Sequence, residues 1–245
     1  MPEISSSKYL INCGWDDSPH LSERKKAEMY AASEPHLREA RSKGTPSLGI
    51  GAVYTVAESE FVIPPFKIPE YWVKGYGFDV GWNRTAVVWG AHDRDTDTLY
   101  LTSEHYRGQA EPSTHASAIR ARGDWIPGFI DPAANGRQQH DGEQLLASYL
   151  ALGLKVTAAD NAVEAGIFDV GQRLQTGRLK VFSSLGAWLT EYRIYRRDKN
   201  GKIVKKVDHL MDATRYLVRP SSMERMIVKP VDPMLFKKNT PNLYR

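Results

Sequence analysis

The apolar positions of the chain fall into runs whose make-up changes along its length. Tyr71–Val80, Thr85–Gly90 and Thr98–Tyr106 are rich in β-branched and aromatic residues and are joined by the short links Gly81–Arg84 and Ala91–Asp97, which predicts a three-stranded β-meander. Beyond it, Ser113–Arg122 is compatible with a helix and Phe129–Asp131 with a fourth strand. Gly142–Leu152 and Ala162–Thr176 space their apolar residues as helices, and the strand-like runs Lys155–Ala159 and Leu179–Phe182 follow them. Before Tyr71 the pattern is weaker. Ser22 can cap a helix starting at Glu23, and Pro35 suits the first turn of another through His36–Lys43. Gly44–Gly51 then breaks regular structure, and Phe61–Pro69, with Pro64, Pro65 and Pro69, reads as an extended linker.

A meander followed by alternating helix and strand is the order of a ribonuclease H-like layer, an α/β mixed sheet flanked by helices. The 245 residues suit one domain plus attachments: a connector over 1–70, the α/β domain over 71–218 and a tail over 219–245. Cys13 stands alone, which excludes a disulfide framework and thiolate zinc clusters and makes a reducing compartment the expectation. No apolar run approaches the roughly 18 residues that span a bilayer, so a soluble intracellular protein with no membrane partner is expected.

The net charge of +4 says little as a total and more once it is placed along the chain. Residues 191–207 net +5 through Arg193, Arg196, Arg197, Lys199, Lys202, Lys205 and Lys206, residues 218–245 net +4, and the rest nets −5. Asp198-Lys-Asn-Gly201 is a hairpin turn signal, so Tyr192–Arg197 and Lys202–Val207 are expected as an inserted basic β-hairpin. Such a ribbon suits nucleic-acid phosphates, although a charged edge hairpin can also serve only to resist aggregation.

The candidate chemistry is carboxylate chemistry. Asp79 lies inside the most apolar strand, where an acid is costly unless it is paired, hydrogen-bonded or bound to a cation, and Gly77 and Gly81 leave room for another group to approach. A plainer role is to bond turn amides. Asp131 ends the fourth strand, where layered sheets deliver functional groups, and it also fits an Asp-Pro turn; Asp160 is a third strand-end acid. On a helix, Asp212 falls about 40° from Asp208 and about 60° from His209, with Leu210, Ala213 and Leu217 opposite. Asp208 can be read as the N-cap of that helix, but Asp212, one turn in, cannot. Three or four converging carboxylates without an obvious cationic partner suit Mg²⁺ or Mn²⁺, and two such ions about 4 Å apart can drive phosphodiester hydrolysis.

Other chemistries find little support. Asp93, Asp95, Asp97 and Glu104 match calcium-loop spacing, but Thr98 stands where the loop needs glycine and Leu99–His105 reads as strand. The chain has no Walker A sequence and no GxSxG. Gly77-Phe-Asp79-Val-Gly81 also resembles the first phosphate loop of the actin, Hsp70 and sugar-kinase superfamily, which needs two such domains where this length holds one.

Taken together, Gly77-Phe-Asp79-Val-Gly-Trp-Asn83, Phe129-Ile-Asp131-Pro-Ala-Ala-Asn-Gly136, Asp160-Asn-Ala-Val-Glu-Ala-Gly166, Glu191-Tyr-Arg-Ile-Tyr-Arg-Arg197 and Asp208-His-Leu-Met-Asp212-Ala-Thr-Arg-Tyr216 resemble the nuclease portion of tailed-bacteriophage large terminase subunits, which package and cut viral DNA. Trp15–Leu21 and Pro35–Arg41 resemble the stretch that follows the packaging ATPase in that family. The resemblance implies a metal-dependent endonuclease acting on double-stranded DNA. It places the acidic triad on Asp79, Asp131 and Asp212, with His209 or Asp208 as a further ligand. It also implies the ATPase domain, the portal protein and the small terminase subunit as partners, and the host cell cytoplasm as the location. The chain is expected to be a nuclease domain with the end of the connector and without its ATPase. Runner-up expectations are a junction resolvase or transposase-like nuclease of the same fold, and a non-catalytic module that docks DNA or the portal.

Overall fold

The structure is a computed structural model that describes residues 13–33, 38–44, 51–132 and 142–230. Pro35 as a helix start, Asn135 and Gly136, most of the Gly44–Gly51 break and the tail from residue 231 lie outside the described residues. A 3₁₀ turn at Trp15–Asp17 precedes α1 (Glu23–Ala32), α2 (Arg38–Lys43), α3 (Glu58–Phe61), β1 (Val62–Ile63), β2 (Val73–Asp79), β3 (Thr85–Asp93) and β4 (Thr98–Arg107). Then come α4 (Pro112–Arg120), β5 (Gly128–Ile130), α5 (Gly142–Ala151), β6 (Val156–Ala158), α6 (Val163–Gln175) and β7 (Leu179–Phe182). α7 (Gly186–Ile194), α8 (His209–Val218) and α9 (Pro220–Met223) complete the described elements. Among the described residues no helix is long and apolar enough to cross a membrane.

The seven strands form one mixed sheet in the order β1-β7-β4-β3-β2-β5-β6. β2, β3 and β4 are the expected antiparallel meander, while β5 runs parallel to β2 and β6 parallel to β5. One face buries Val73, Ala86, Val88, Leu99 and Phe129 under α6, α7 and α8; the other buries Tyr76, Phe78, Val87 and Trp89 with residues of α4 and α5. This alternation along β2 and β3 is the period-two consequence of the pleat.

Two readings need correction. Val62–Ile63, inside the expected linker, pairs with Val181–Phe182 as the edge strand β1, and Phe61 before it is wholly buried. The prolines begin only at Pro64, so the β-branched pair ahead of them is free to join the sheet. The basic hairpin is reduced to a turn. Tyr192 and Arg193 belong to α7, whose first amides, on Ala187 and Trp188, donate to the Glu104 carboxylate at 3.0 and 2.8 Å. The turn itself forms, with Gly201 at φ +77 and the Asp198 amide donating to the Lys202 carbonyl at 2.7 Å. Beyond it the Val204 amide donates to the Arg196 carbonyl at 3.0 Å around a single bridge between Arg197 and Ile203, and the ladder ends there because α7 runs to Ile194; the other edge of residues 195–197 pairs with Gly51–Val53.

Candidate active site

The helix α8 organises the site. All nine residues from Leu210 to Val218 are buried, so Asp212 is on no solvated face. Its seat against the sheet depends on Gly77: a Cβ there would lie 1.8 Å from the Ala213 carbonyl oxygen, so any side chain would push the helix off β2. The approaching group for which Gly77 leaves room is therefore this helix. Asp208 occupies the N-cap position without capping by its side chain. Glu191, reaching across from α7 and almost wholly buried, accepts instead from the amides of Leu210 at 2.6 Å and Met211 at 3.3 Å. This remote cap satisfies helix donors that would otherwise be orphaned in the interior and leaves the Asp208 carboxylate turned to another use.

Three elements meet at one corner of the sheet. Asp79 is the last residue of β2; Asp131 follows β5, its amide donating to the Phe78 carbonyl at 2.9 Å; Asp212 lies one turn into α8. They are near enough that the charges of Asp212 and Asp131 both act on Asp79. Burial pushes the Asp79 carboxyl up from 3.8 to about 6, against the opposing pull of the His209 hydrogen bond. His209 Nδ1 lies 2.8 Å from Asp79 Oδ2, and that bond holds the imidazole pKa above its ordinary value against partial burial.

The sequence suggests no cationic partner for these acids; the structure supplies two. Arg215, fully buried, donates from Nε and Nη2 to Asp212 Oδ1 at 3.0 and 2.9 Å. Lys205 places its ammonium 2.8 Å from Asp212 Oδ2 and 3.1 Å from Asp208 Oδ2. Arg215 could have been found from spacing, since it stands three residues after Asp212 on the same helix face. Gly166 explains the motif around it: a Cβ there would come within 3.2 Å of the Arg215 side chain.

As a place for a divalent ion the corner has the right donor chemistry. Its carboxylate oxygens are hard donors on rigid elements, and Lys205 shows that a cation sits well between Asp208 and Asp212. In the arrangement described, no three or more His, Cys, Asp or Glu side chains among the described residues close around one point. An ion taking Asp212 Oδ2 therefore displaces the Lys205 ammonium.

The remaining candidates go elsewhere. Asp160 accepts from its own Ala162 amide at 2.9 Å and from Arg219, which also holds Asp169, so it ties β6 and α6 to the start of α9. Asp97, at φ +48, binds His92, Arg173 and Arg178, and Glu104 caps α7, which leaves both with structural work. Arg193 is held by Glu58 at 2.6 and 2.7 Å, and Arg197 by Glu164 at 2.9 and 2.6 Å. Arg196, Lys199, Lys202 and Lys206 are exposed and enter no ion pair among the described residues.

Comparison with known proteins places this geometry. The family model for the terminase RNaseH-like domain matches residues 77–219. The large terminase subunit of Salmonella phage P22 is 31% identical over 239 residues, which is 92% of this chain and 48% of that protein. The chain thus spans about half the length of the curated relatives it matches. Among solved structures, the P22 large terminase nuclease domain is 29% identical with a TM-score of 0.67 over 74% of this chain and 96% of that one. The large terminase nuclease of thermophilic phage G20c, solved with bound magnesium, shares the fold at 15% identity and a TM-score of 0.50, covering 70% of this chain and 98% of that one. With the family model, the curated relatives and the sheet order in agreement, the chain belongs to the terminase ribonuclease H-like family, the nuclease part of phage large terminase subunits.

Proposed function

We propose that this chain is a divalent-metal-dependent endonuclease that hydrolyses the phosphodiester backbone of double-stranded DNA during viral genome packaging in the host cell cytoplasm. The observation that carries this reading is the meeting of Asp79, Asp131 and Asp212 where β2, β5 and α8 converge, two of them buried with Asp208 beside them, while the remaining buried acid among the described residues, Glu191, caps α8. The magnesium bound to the G20c nuclease supports it. Asp79, Asp131 and Asp212 hold two Mg²⁺ or Mn²⁺ ions, with Asp208 or His209 as a further ligand. Ions so held supply an activated water and stabilise the leaving oxygen. His209 fixes the orientation of Asp79 through Nδ1, and Arg215 pins one oxygen of Asp212 so that the other faces the site. The partners proposed for the whole subunit are its ATPase domain, the portal protein and the small terminase subunit.

The test uses supercoiled plasmid and the 245-residue chain. Mg²⁺ or Mn²⁺ is expected to give nicked and linear DNA, and a chelator to prevent both. In the absence of DNA, Mn²⁺ at about a hundred times its Kd is expected to stabilise the fold by about 2.7 kcal/mol. The absence of both cutting and a melting shift sinks the metal site. The cations already on Asp212 favour a second reading, a DNA- or portal-docking module, and a melting shift with intact plasmid selects it.

For DNA binding, replacing Arg196, Lys199, Lys202 and Lys206 by Gln is expected to reduce the slope of log K against log salt by up to about 3.6, at about 0.9 for each phosphate no longer neutralised. Replacing Arg193 and Arg197, whose guanidiniums are already committed to Glu58 and Glu164, leaves the slope unchanged. A slope untouched by the four-residue change assigns the phosphate binding to the tail over 219–245 instead.

A further inference from the structure

The turn between β2 and β3 carries a feature that metal chemistry does not use. Trp82, three residues after Asp79, is 64% exposed in a chain that buries Trp72, Trp89 and Trp188. A lone exposed aromatic is common on protein surfaces, but this one is held on an unusually fixed support. The Trp82 carbonyl accepts from the Gln109 amide at 2.8 Å, and the Thr85 hydroxyl donates to the Gly81 carbonyl at 3.0 Å. Gly108 passes so close beneath the turn that a Cβ would lie 2.0 Å from the Asn83 carbonyl oxygen, and Gln109 takes a φ of +51 to allow it. The backbone is therefore clamped while the indole is left in water, where it pairs with no aromatic ring and no cation among the described residues.

Position gives the indole its use. Three residues of chain span at most about 11 Å, so the Trp82 Cα stands within about three base steps of the Asp79 Cα, and the indole extends from there. Arg84, two residues on and stacked over Tyr106 at 4.5 Å, adds a cation on the same turn. An aromatic face beside a cation is the pairing that single-stranded nucleic acid recognises, with stacking on the base and charge on the phosphate.

We propose that Trp82 is a stacking platform for a base unstacked from the DNA strand next to the phosphate being cut. The proposal rests on the nuclease reading and deepens it: a base can lie on the ring only where the duplex is locally open, so the site takes frayed, mismatched or single-stranded positions in preference to intact helix. Trp82 contacts substrate and positions the strand; it does not enter the bond chemistry.

Binding without metal tests it separately from cutting. Fluorescence anisotropy with a labelled single-stranded oligonucleotide is expected to show at least about fivefold weaker binding for Trp82→Ala, with affinity restored by Trp82→Tyr. An oligonucleotide series bearing one abasic position is expected to reveal a position where the wild-type chain loses affinity and Trp82→Ala does not, a dependence that a merely structural residue would not produce. Equal binding by wild type and Trp82→Ala, or the same abasic profile in both, overturns the stacking site and leaves the nuclease reading intact. Plasmid left uncut by the wild-type chain overturns the nuclease reading, while the abasic profile still decides whether Trp82 takes a base.

Discussion

Asp79→Asn is expected to lower metal-dependent plasmid cutting by roughly a thousandfold or more, the scale of losing a strong electrostatic group from a preorganised site, and yet to melt no lower than the wild-type chain at about pH 8. The two effects part because burial and function pull Asp79 in opposite directions. Its folded pKa of about 6 lies above its ordinary 3.8, with burial the largest cause. A carboxyl raised in the folded state adds nothing unfavourable below the unfolded value and destabilises increasingly as pH rises towards the folded one. At about pH 8 the wild-type chain carries the full penalty, about 3 kcal/mol for a shift of about two pH units. Asparagine keeps the shape without the charge. His209 works the other way: raised by Asp79, it adds stability at low pH and loses it as pH climbs through its own folded value, which is why the comparison belongs on the alkaline side. An Asn variant that still cuts at the wild-type rate removes Asp79 from the chemistry. One that melts far below wild type makes the residue a strut.

The sequence makes Asp79 conspicuous because an acid in an apolar strand between two glycines has few structural excuses. Asp212 stands out because it lies too deep in its helix to be a cap. The meander and the parallel strands after it follow from composition and link length, both local properties. What is not local is harder to read. The Asp198–Gly201 turn signal makes Tyr192–Arg197 read as a strand, yet Glu104, 83 residues before Ala187, caps a helix that runs to Ile194. The hairpin bonds therefore stop at Arg196, whose carbonyl accepts from Val204, while Gly51–Val53 pairs with the other edge of residues 195–197. Tertiary contacts of this kind override local pattern. The same holds for the charge: seven basic residues look like one DNA-facing edge, but Arg193, Arg197 and Lys205 are bound to Glu58, Glu164 and the Asp208–Asp212 pair. Trp82 sits in a motif that the sequence singles out, but its exposure and its clamped turn are properties of the fold alone.

Arg215→Met carries the largest expected loss of stability. Arg215 is 1% exposed and shares α8 with Asp212, itself 8% exposed, so the pair is desolvated as a unit. Removing one partner of a buried pair leaves the other charge uncompensated, at about 3–5 kcal/mol. For a domain of this size each kcal/mol moves Tm by about 2–4 °C, so a fall of roughly 6–20 °C is expected in a thermal melt. Lys205 softens the loss only in part, because it reaches Oδ2 whereas Arg215 serves Oδ1. Methionine fills most of the space left beside Gly166, which keeps a cavity from accounting for the effect. The double variant Arg215→Met with Asp212→Asn removes the orphaned charge along with its partner and is expected to recover most of the lost stability, a coupling that a double-mutant cycle reads directly. A single variant melting within a degree or two of wild type would show that Asp212 finds its balance elsewhere, and Lys205 would then be the cation that holds the active corner together.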